Sequence, residues 1–287
     1  MLDKGGDWIQ VWIRMKRSIH SAAVVLHLTL SLADGTAGEA LDPFVHVSGA
    51  GRLEDAPAVP LTFSGTQRWA RRFLDQTKDE PRLLPKDWSS RVVLPPPPAN
   101  GSPRTAKEVE YLLDLQAKRT PADEAAIRKE AEFAGMRFGK HGSMDLLDVA
   151  KRPWTAALMD AGAKQLNPLL FKLKLRFDRV RPSILDPRLK PVMEVPGHPA
   201  YPSGHASQAF FIAYLLAELD PPNREVYLAD ATAIAKRRET AGFHYPSDTA
   251  AGALLARQVL DLLLVKKQFH GLLEKALEEW KPKLPSI

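Results

Sequence analysis

Pro202-Ser203-Gly204-His205 runs almost directly into Ala209-Phe210-Phe211-Ile212-Ala213-Tyr214-Leu215-Leu216-Ala217, and the rest of the chain is arranged around this stretch. The apolar run reads as a helix that starts at a Ser-Gly turn. Such a start exposes backbone N–H groups and the positive end of the helix dipole, which together suit an anion. Asp220-Pro221-Pro222-Asn223 then breaks the helix.

Working outward, Arg224 to Thr240 reads as the next helix, with Val226, Leu228, Ala231, Ile234 and Ala235 on its inner face. A short turn, Gly242-Phe243-His244-Tyr245-Pro246, leads into a long apolar helix from Ser247 to about Leu264, with Asp248 in its first turn, where the dipole favours a carboxylate. A charged amphipathic helix from Phe269 to Lys283 closes the bundle. Upstream lies a proline-rich loop from Ser183 to Tyr201. Before it, a helix is expected from Pro153 to the stop at Pro182, kinked at Pro168. That reading puts Lys174 and Arg181 on one helix face, seven residues or two turns apart. Earlier still, Thr105 to Arg119 shows helical periodicity, and Thr120-Pro121-Ala122-Asp123-Glu124 opens another helix with an N-cap, a proline at N1 and acids in the first turn.

The N-terminal third is less regular. Leu94-Pro95-Pro96-Pro97-Pro98-Ala99-Asn100-Gly101-Ser102 must be extended before it turns, and reads as a rigid linker. Gln67 to Leu74 could form one short helix, and nothing in residues 39–93 suggests a function. Met15-Lys16-Arg17 followed by the apolar run Ala22 to Ala33, with Gly35, Ala37 and Ala40 beyond, describes an export signal over residues 1–37, with Met15 as an alternative start. The expected organisation is therefore a signal at 1–37, an irregular extension at 38–104 and a helical domain at 105–287. Export would place the protein in the periplasm or outside the cell.

Composition removes several function classes. With no cysteine there is no disulfide framework, thiolate metal site or cysteine nucleophile. The net charge of +6 is spread along the chain without a basic block or interleaved aromatics, which argues against nucleic acid as a partner. Apart from the short signal, nothing approaches the ~20 apolar residues of a membrane span, so no integral membrane span is expected.

Three groups of residues carry the chemistry: Lys174-x6-Arg181-Pro182, Pro202-Ser203-Gly204-His205 and Arg238-x5-His244-x3-Asp248. Each alone is ordinary, but together they supply three cations, a hydroxyl, a glycine turn, two histidines and a carboxylate. Those are the parts for transferring a phosphoryl group without a metal, where positioning and charge neutralisation carry most of the work. Asp248 is placed to hold the His244 imidazole in the tautomer with a free Nε2. Which histidine attacks and which moves the proton is left open by the residues themselves. One must be charged and the other neutral, so a bell-shaped pH profile with an acid-side maximum is expected. His20, His27, His46, His141, His198 and His270 have no partner pattern and read as structural or exposed.

These motifs resemble the type 2 phosphatidic acid phosphatase (PAP2) superfamily, which also contains vanadium haloperoxidases, and most closely its bacterial class A nonspecific acid phosphatases. The likeness covers Leu94 to Trp280 and includes Arg176-Phe177-Asp178-Arg179-Val180-Arg181-Pro182, Tyr201 to Ser207 and Gly242 to Asp248. It implies an all-α helical bundle of the PAP2 and haloperoxidase type, periplasmic and often homodimeric, acting on small phosphomonoesters with no cofactor. It further implies that His244 forms a phosphohistidine, oriented by Asp248. His205 would protonate the leaving alkoxide and then activate water, while Lys174, Arg181, Ser203, Gly204 and Arg238 hold the phosphoryl oxygens. One departure is Arg237, which stands where the family usually has serine. Two other readings use the same residues: a vanadium haloperoxidase, with vanadate held on His244 as cofactor rather than bound as inhibitor, and a non-catalytic phosphate-binding protein.

Overall fold

A computed structural model describes residues 61–131 and 151–281, so the export signal lies outside the described residues. Eleven α-helices are described: α1 (Phe63–Thr66), α2 (Arg71–Gln76), α3 (Trp88–Arg91), α4 (Pro103–Lys118), α5 (Pro121–Ala131), α6 (Pro153–Phe177), α7 (Pro182–Leu185), α8 (Gly204–Leu219), α9 (Arg224–Thr240), α10 (Pro246–Leu264) and α11 (Lys267–Trp280). Among the described residues the only extended pairing is one antiparallel bridge, Thr62 to Arg179, and the fold is all-α. No helix among them is long and apolar enough to cross a membrane.

The apolar run forms α8, which is central and packs against α6, α9, α10 and α11. Ala209, Phe211, Ala213, Leu215 and Leu216 are all buried, because a helix without a polar face must be covered on every side. Gly252 lets α10 approach the start of α8 closely: a Cβ there would stand 2.8 Å from the Ser203 carbonyl and 2.9 Å from the Ala206 side chain. Proline at N1 opens α4, α6 and α10, and α4 is capped by Ser102, which accepts from the Thr105 N–H at 3.2 Å. The tail helix α11 returns to cap α6, since the Glu279 carboxylate accepts from the N–H groups of Trp154 at 2.7 Å and Thr155 at 2.9 Å.

Three expectations need correction. The helix α6 passes through Pro168 but stops at Phe177 rather than Pro182, because Asp178 takes a left-handed conformation with φ 45° as its C-cap. Arg181 is therefore not on α6, and the shared helix face with Lys174 does not exist. Residues 67–74 are not one helix either, since Gln67 to Ala70 form an extended crossing between α1 and α2. The proline run is not an independent linker: Val92 and Leu94 are buried in the core, and the Tyr201 hydroxyl donates to the Pro95 carbonyl. All described residues fall within one unit, Ala50–Ile287, so the segment from residue 61 onward packs with the helices it precedes.

Candidate active site

The three motif groups meet around one cavity of about 860 Å³. Each arrives from a different element. Lys174 comes from the last turn of α6, Gly204 and His205 from the first turn of α8, Arg238 from the end of α9 and His244 from the turn before α10. All five line the cavity. Arg181, Ser203 and Asp248 are wholly buried behind that lining.

The His244 side is organised by α10. Asp248 sits at N3, where its carboxylate accepts from the Tyr245 N–H at 3.0 Å and from His244 Nδ1 at 3.2 Å. The contact with Nδ1 requires the proton to be there. Arg181 Nη1 lies 3.2 Å from His244 Nε2, and a guanidinium can only donate, so Nε2 carries a lone pair. Burial, reinforced by Arg181, pushes the His244 pKa well below the usual histidine value. His244 is thus a neutral imidazole with its unprotonated nitrogen turned away from the carboxylate.

Asp248 has a second supporter that the motifs did not disclose. Arg179 donates to Asp248, to Ser247 Oγ at 2.7 Å and to Glu108 at 3.2 Å, and its guanidinium lies 3.8 Å over the Tyr245 ring. Glu108, from α4, also accepts from the Ser247 N–H at 2.8 Å. Although burial alone would raise it, the Asp248 pKa is held down at about 2, chiefly by Arg179 and then His244. A buried acid and a buried base were each readable as charged residues, but their pairing across 71 positions was not.

The three expected anion ligands differ in their remaining valence. Lys174 Nζ is surrounded by the carbonyls of Pro199, Ala200 and Pro202 at 2.8, 3.2 and 2.6 Å. Burial and Arg181 push its pKa down, while three carbonyl acceptors favour an ammonium. Arg181 uses Nε on the His198 carbonyl at 3.0 Å, Nη1 on the Phe243 carbonyl at 2.8 Å and Nη2 on His198 Nδ1 at 2.9 Å. His198, read as structural, is indeed packed edge-on to Phe73 and Phe171, yet it also lines the cavity and fixes Arg181. Arg238 is different. Its Nη2 meets the Ile127 carbonyl at 3.2 Å and Glu130 at 2.8 Å, but Nε and Nη1 are buried without a partner among the described residues. Arg237 points to the same Glu130 carboxylate and does not line the cavity.

His205 lines the same cavity, with Nε2 3.4 Å from the Glu130 carbonyl. Burial first, and Arg238 next, lower its pKa to about 3. Ser203 caps α8 by accepting from the Ala206 N–H at 3.4 Å, which leaves the Gly204 end of the helix facing the cavity. The arrangement brings to one cavity an arginine with two nitrogens unpartnered among the described residues, a helix N-terminus and an imidazole lone pair, groups that suit a tetrahedral oxyanion in a low-dielectric setting.

Residues 156–269 match the PAP2 superfamily. A non-specific acid phosphatase of Providencia stuartii is 30% identical over 81 residues, a match that spans 28% of this chain and 33% of that protein's length. Among solved structures, an apo-type bacterial vanadium-dependent chloroperoxidase superposes with a TM-score of 0.52 at 13% identity, covering 74% of this chain and 57% of the other. A bacterial vanadium-dependent iodoperoxidase gives a TM-score of 0.47 at 18% identity, covering 61% and 52%. The stretch that matches the PAP2 superfamily, residues 156–269, is the helical core that carries the two histidines.

Proposed function

We propose that this chain is a phosphomonoester hydrolase that works through a phosphohistidine on His244. The observation that carries the reading is the pair of buried donors on Arg238 without a partner among the described residues, on a side chain that lines the same cavity as a neutral imidazole whose tautomer is imposed by Asp248. Buried donors without acceptors are costly, and a phosphoryl group would satisfy them.

In the first step His244 Nε2 gives its electron pair to phosphorus as the P–O bond to the alcohol breaks. A protonated His205 delivers its proton to the departing alkoxide. The Asp248 carboxylate balances the positive charge that develops on the imidazole. In the second step neutral His205 removes a proton from water, the oxygen attacks phosphorus, and the P–N bond electrons return to His244. Arg238 and the α8 N-terminus hold the charge that accumulates on the equatorial oxygens.

With its pKa lowered to about 3, His205 is neutral at ordinary pH, so its acid role requires the substrate anion to raise that pKa. Favourable interaction with a phosphate dianion does this. The same residues fit vanadate, also a tetrahedral oxyanion, which His244, Arg238 and Gly204 would hold; bound as a cofactor it would supply peroxide-dependent halide oxidation. Trapping with a radiolabelled phosphomonoester should place acid-labile label on His244, with release of alcohol and phosphate. Bromide oxidation with vanadate and peroxide, without ester hydrolysis, would replace this reading by a haloperoxidase. Tight phosphate binding with no turnover, unaffected by His244→Ala, would replace it by a binding protein. We further place the protein in the periplasm or outside the cell, to be checked by the N-terminal sequence and fractionation of the mature chain.

A further inference from the structure

The cavity is far larger than one tetrahedral anion needs, and its mouth is built from a segment that the sequence left without a role. Arg68, Ala70, Arg72 and Phe73 all line it. The segment is tied down on both sides of Arg68. The Phe63 N–H donates to the Asp178 carbonyl at 2.9 Å and Ser64 Oγ to the Asp178 carboxylate at 2.8 Å, while the Ala70 N–H donates to the Gly197 carbonyl at 2.7 Å. Gly197 is needed for that approach, because a Cβ there would stand 2.9 Å from the Ala70 side chain and 3.2 Å from its backbone nitrogen. Phe73 anchors the far end by stacking on Phe171 at 5.4 Å.

Three arginines sit on this segment, and their pairing separates them. Arg71, which does not line the cavity, is bound to Asp75 at 3.0 Å. Arg68 and Arg72, which do, have no ion pair among the described residues, and Arg72 is held 4.7 Å over the Phe73 ring. Glu194 is the one acid lining the cavity among the described residues. Phe73, Leu170 and Phe171 give the same cavity an apolar wall. Positive charge lines it at two depths, since Arg68 and Arg72 are exposed whereas Lys174 and Arg238 are buried.

We propose that Arg68 and Arg72 form a second anion subsite, which selects phosphomonoesters whose alcohol carries a second phosphate. The inference rests on the hydrolase reading of the inner site, because it assigns the inner phosphate to His244 and the outer one to the rim. The apolar wall accommodates the carbon skeleton between them.

The test compares hexanediol monophosphate with hexanediol bisphosphate on the full chain. The bisphosphate should show the lower KM at similar kcat, and its advantage should shrink with added salt because exposed charges are screened. In the double variant Arg68→Gln/Arg72→Gln, the KM for the bisphosphate should rise about tenfold while the monophosphate is unchanged. Equal KM values in the unmodified protein, or an equal loss for both esters in the double variant, would overturn the subsite. A deficit seen only with phosphatidate in vesicles, and not with the soluble bisphosphate, would also overturn it. Calorimetry on His244→Ala separates this from the chemistry: tighter bisphosphate binding that the rim substitutions abolish supports the subsite even if no ester is hydrolysed. Hydrolysis of both esters with identical KM would leave the hydrolase standing and remove the subsite.

Discussion

Arg181 and Arg238 are both expected anion ligands, and both are essentially inaccessible to solvent, at 0% and 1% exposure. The protein treats them in opposite ways. Every nitrogen of Arg181 has a protein partner, and those partners are the His198 carbonyl and ring, the Phe243 carbonyl and Nε2 of His244. Arg238 has two nitrogens with none among the described residues. A buried cation with its hydrogen bonds complete is part of the scaffold and adds to the potential of the site. A buried cation left short of acceptors is waiting for a ligand. The cavity thus has a finished wall around His244 and an open one around Arg238 and His205.

That contrast is most sharply tested on the finished wall. Asp248→Asn should keep the fold's outline but lose the acceptor that fixes the His244 tautomer. A loss of kcat of roughly 10⁴-fold is expected, from the known cost of such a change in a histidine–carboxylate pair. Near-normal turnover of p-nitrophenyl phosphate by this variant would remove Asp248 from the mechanism.

Arg238→Ala and Arg181→Ala should then diverge. The first removes free donors, so kcat should fall about 10² to 10³-fold and phosphate affinity with it. The second strips carbonyl partners inside the structure, at a cost of about 3 kcal/mol or more, or roughly 6–12 °C in Tm. Thermal denaturation beside phosphate titration would read both; equal effects of the two substitutions on both measurements would erase the distinction.

Smaller effects concern protons. Anion binding should raise the His205 pKa from about 3, so phosphate or vanadate binding should take up protons, detectable by calorimetry in buffers of different ionisation enthalpy. The alkaline limb of kcat should accordingly lie at higher pH than that of kcat/KM, and His205→Gln should abolish it.

Stability provides the last and mildest check. His198, His205 and His244 have folded pKa values below the ordinary one, so the unfolded chain binds more protons as pH drops through about 6.5. The Tm should fall over that window, and phosphate should oppose the fall. Asp248 acts at the other extreme. Its depressed pKa adds stability above the ordinary carboxylate value, lost as pH falls toward about 2.

Much of this was legible in the chain. Helices α4, α5, α8, α9, α10 and α11 lie close to their expected positions, because prolines at N1, capping residues and apolar periodicity are local signals. His244 and Asp248 were readable as a pair for the same reason: four residues at a helix start leave little freedom. Arg181 was misplaced because the end of α6 depends on Asp178 entering a left-handed conformation, held there by Ser64 more than 100 residues away. Arg179, Glu108 and Glu130 went unnoticed, since nothing near each of them in sequence marks its partner. The rim arginines looked like part of an irregular extension until Gly197 and Asp178 fixed where that extension lies.

The order of residues determined that this protein is a helical bundle and that two imidazoles, a carboxylate and several cations recur at spacings suited to an oxyanion. Only the tertiary structure decided how those groups divide the work. Periodicity and capping act over one or two helical turns and are written locally. Whether a guanidinium is satisfied or left open depends on carbonyls and carboxylates brought in by other helices, and no local pattern encodes that.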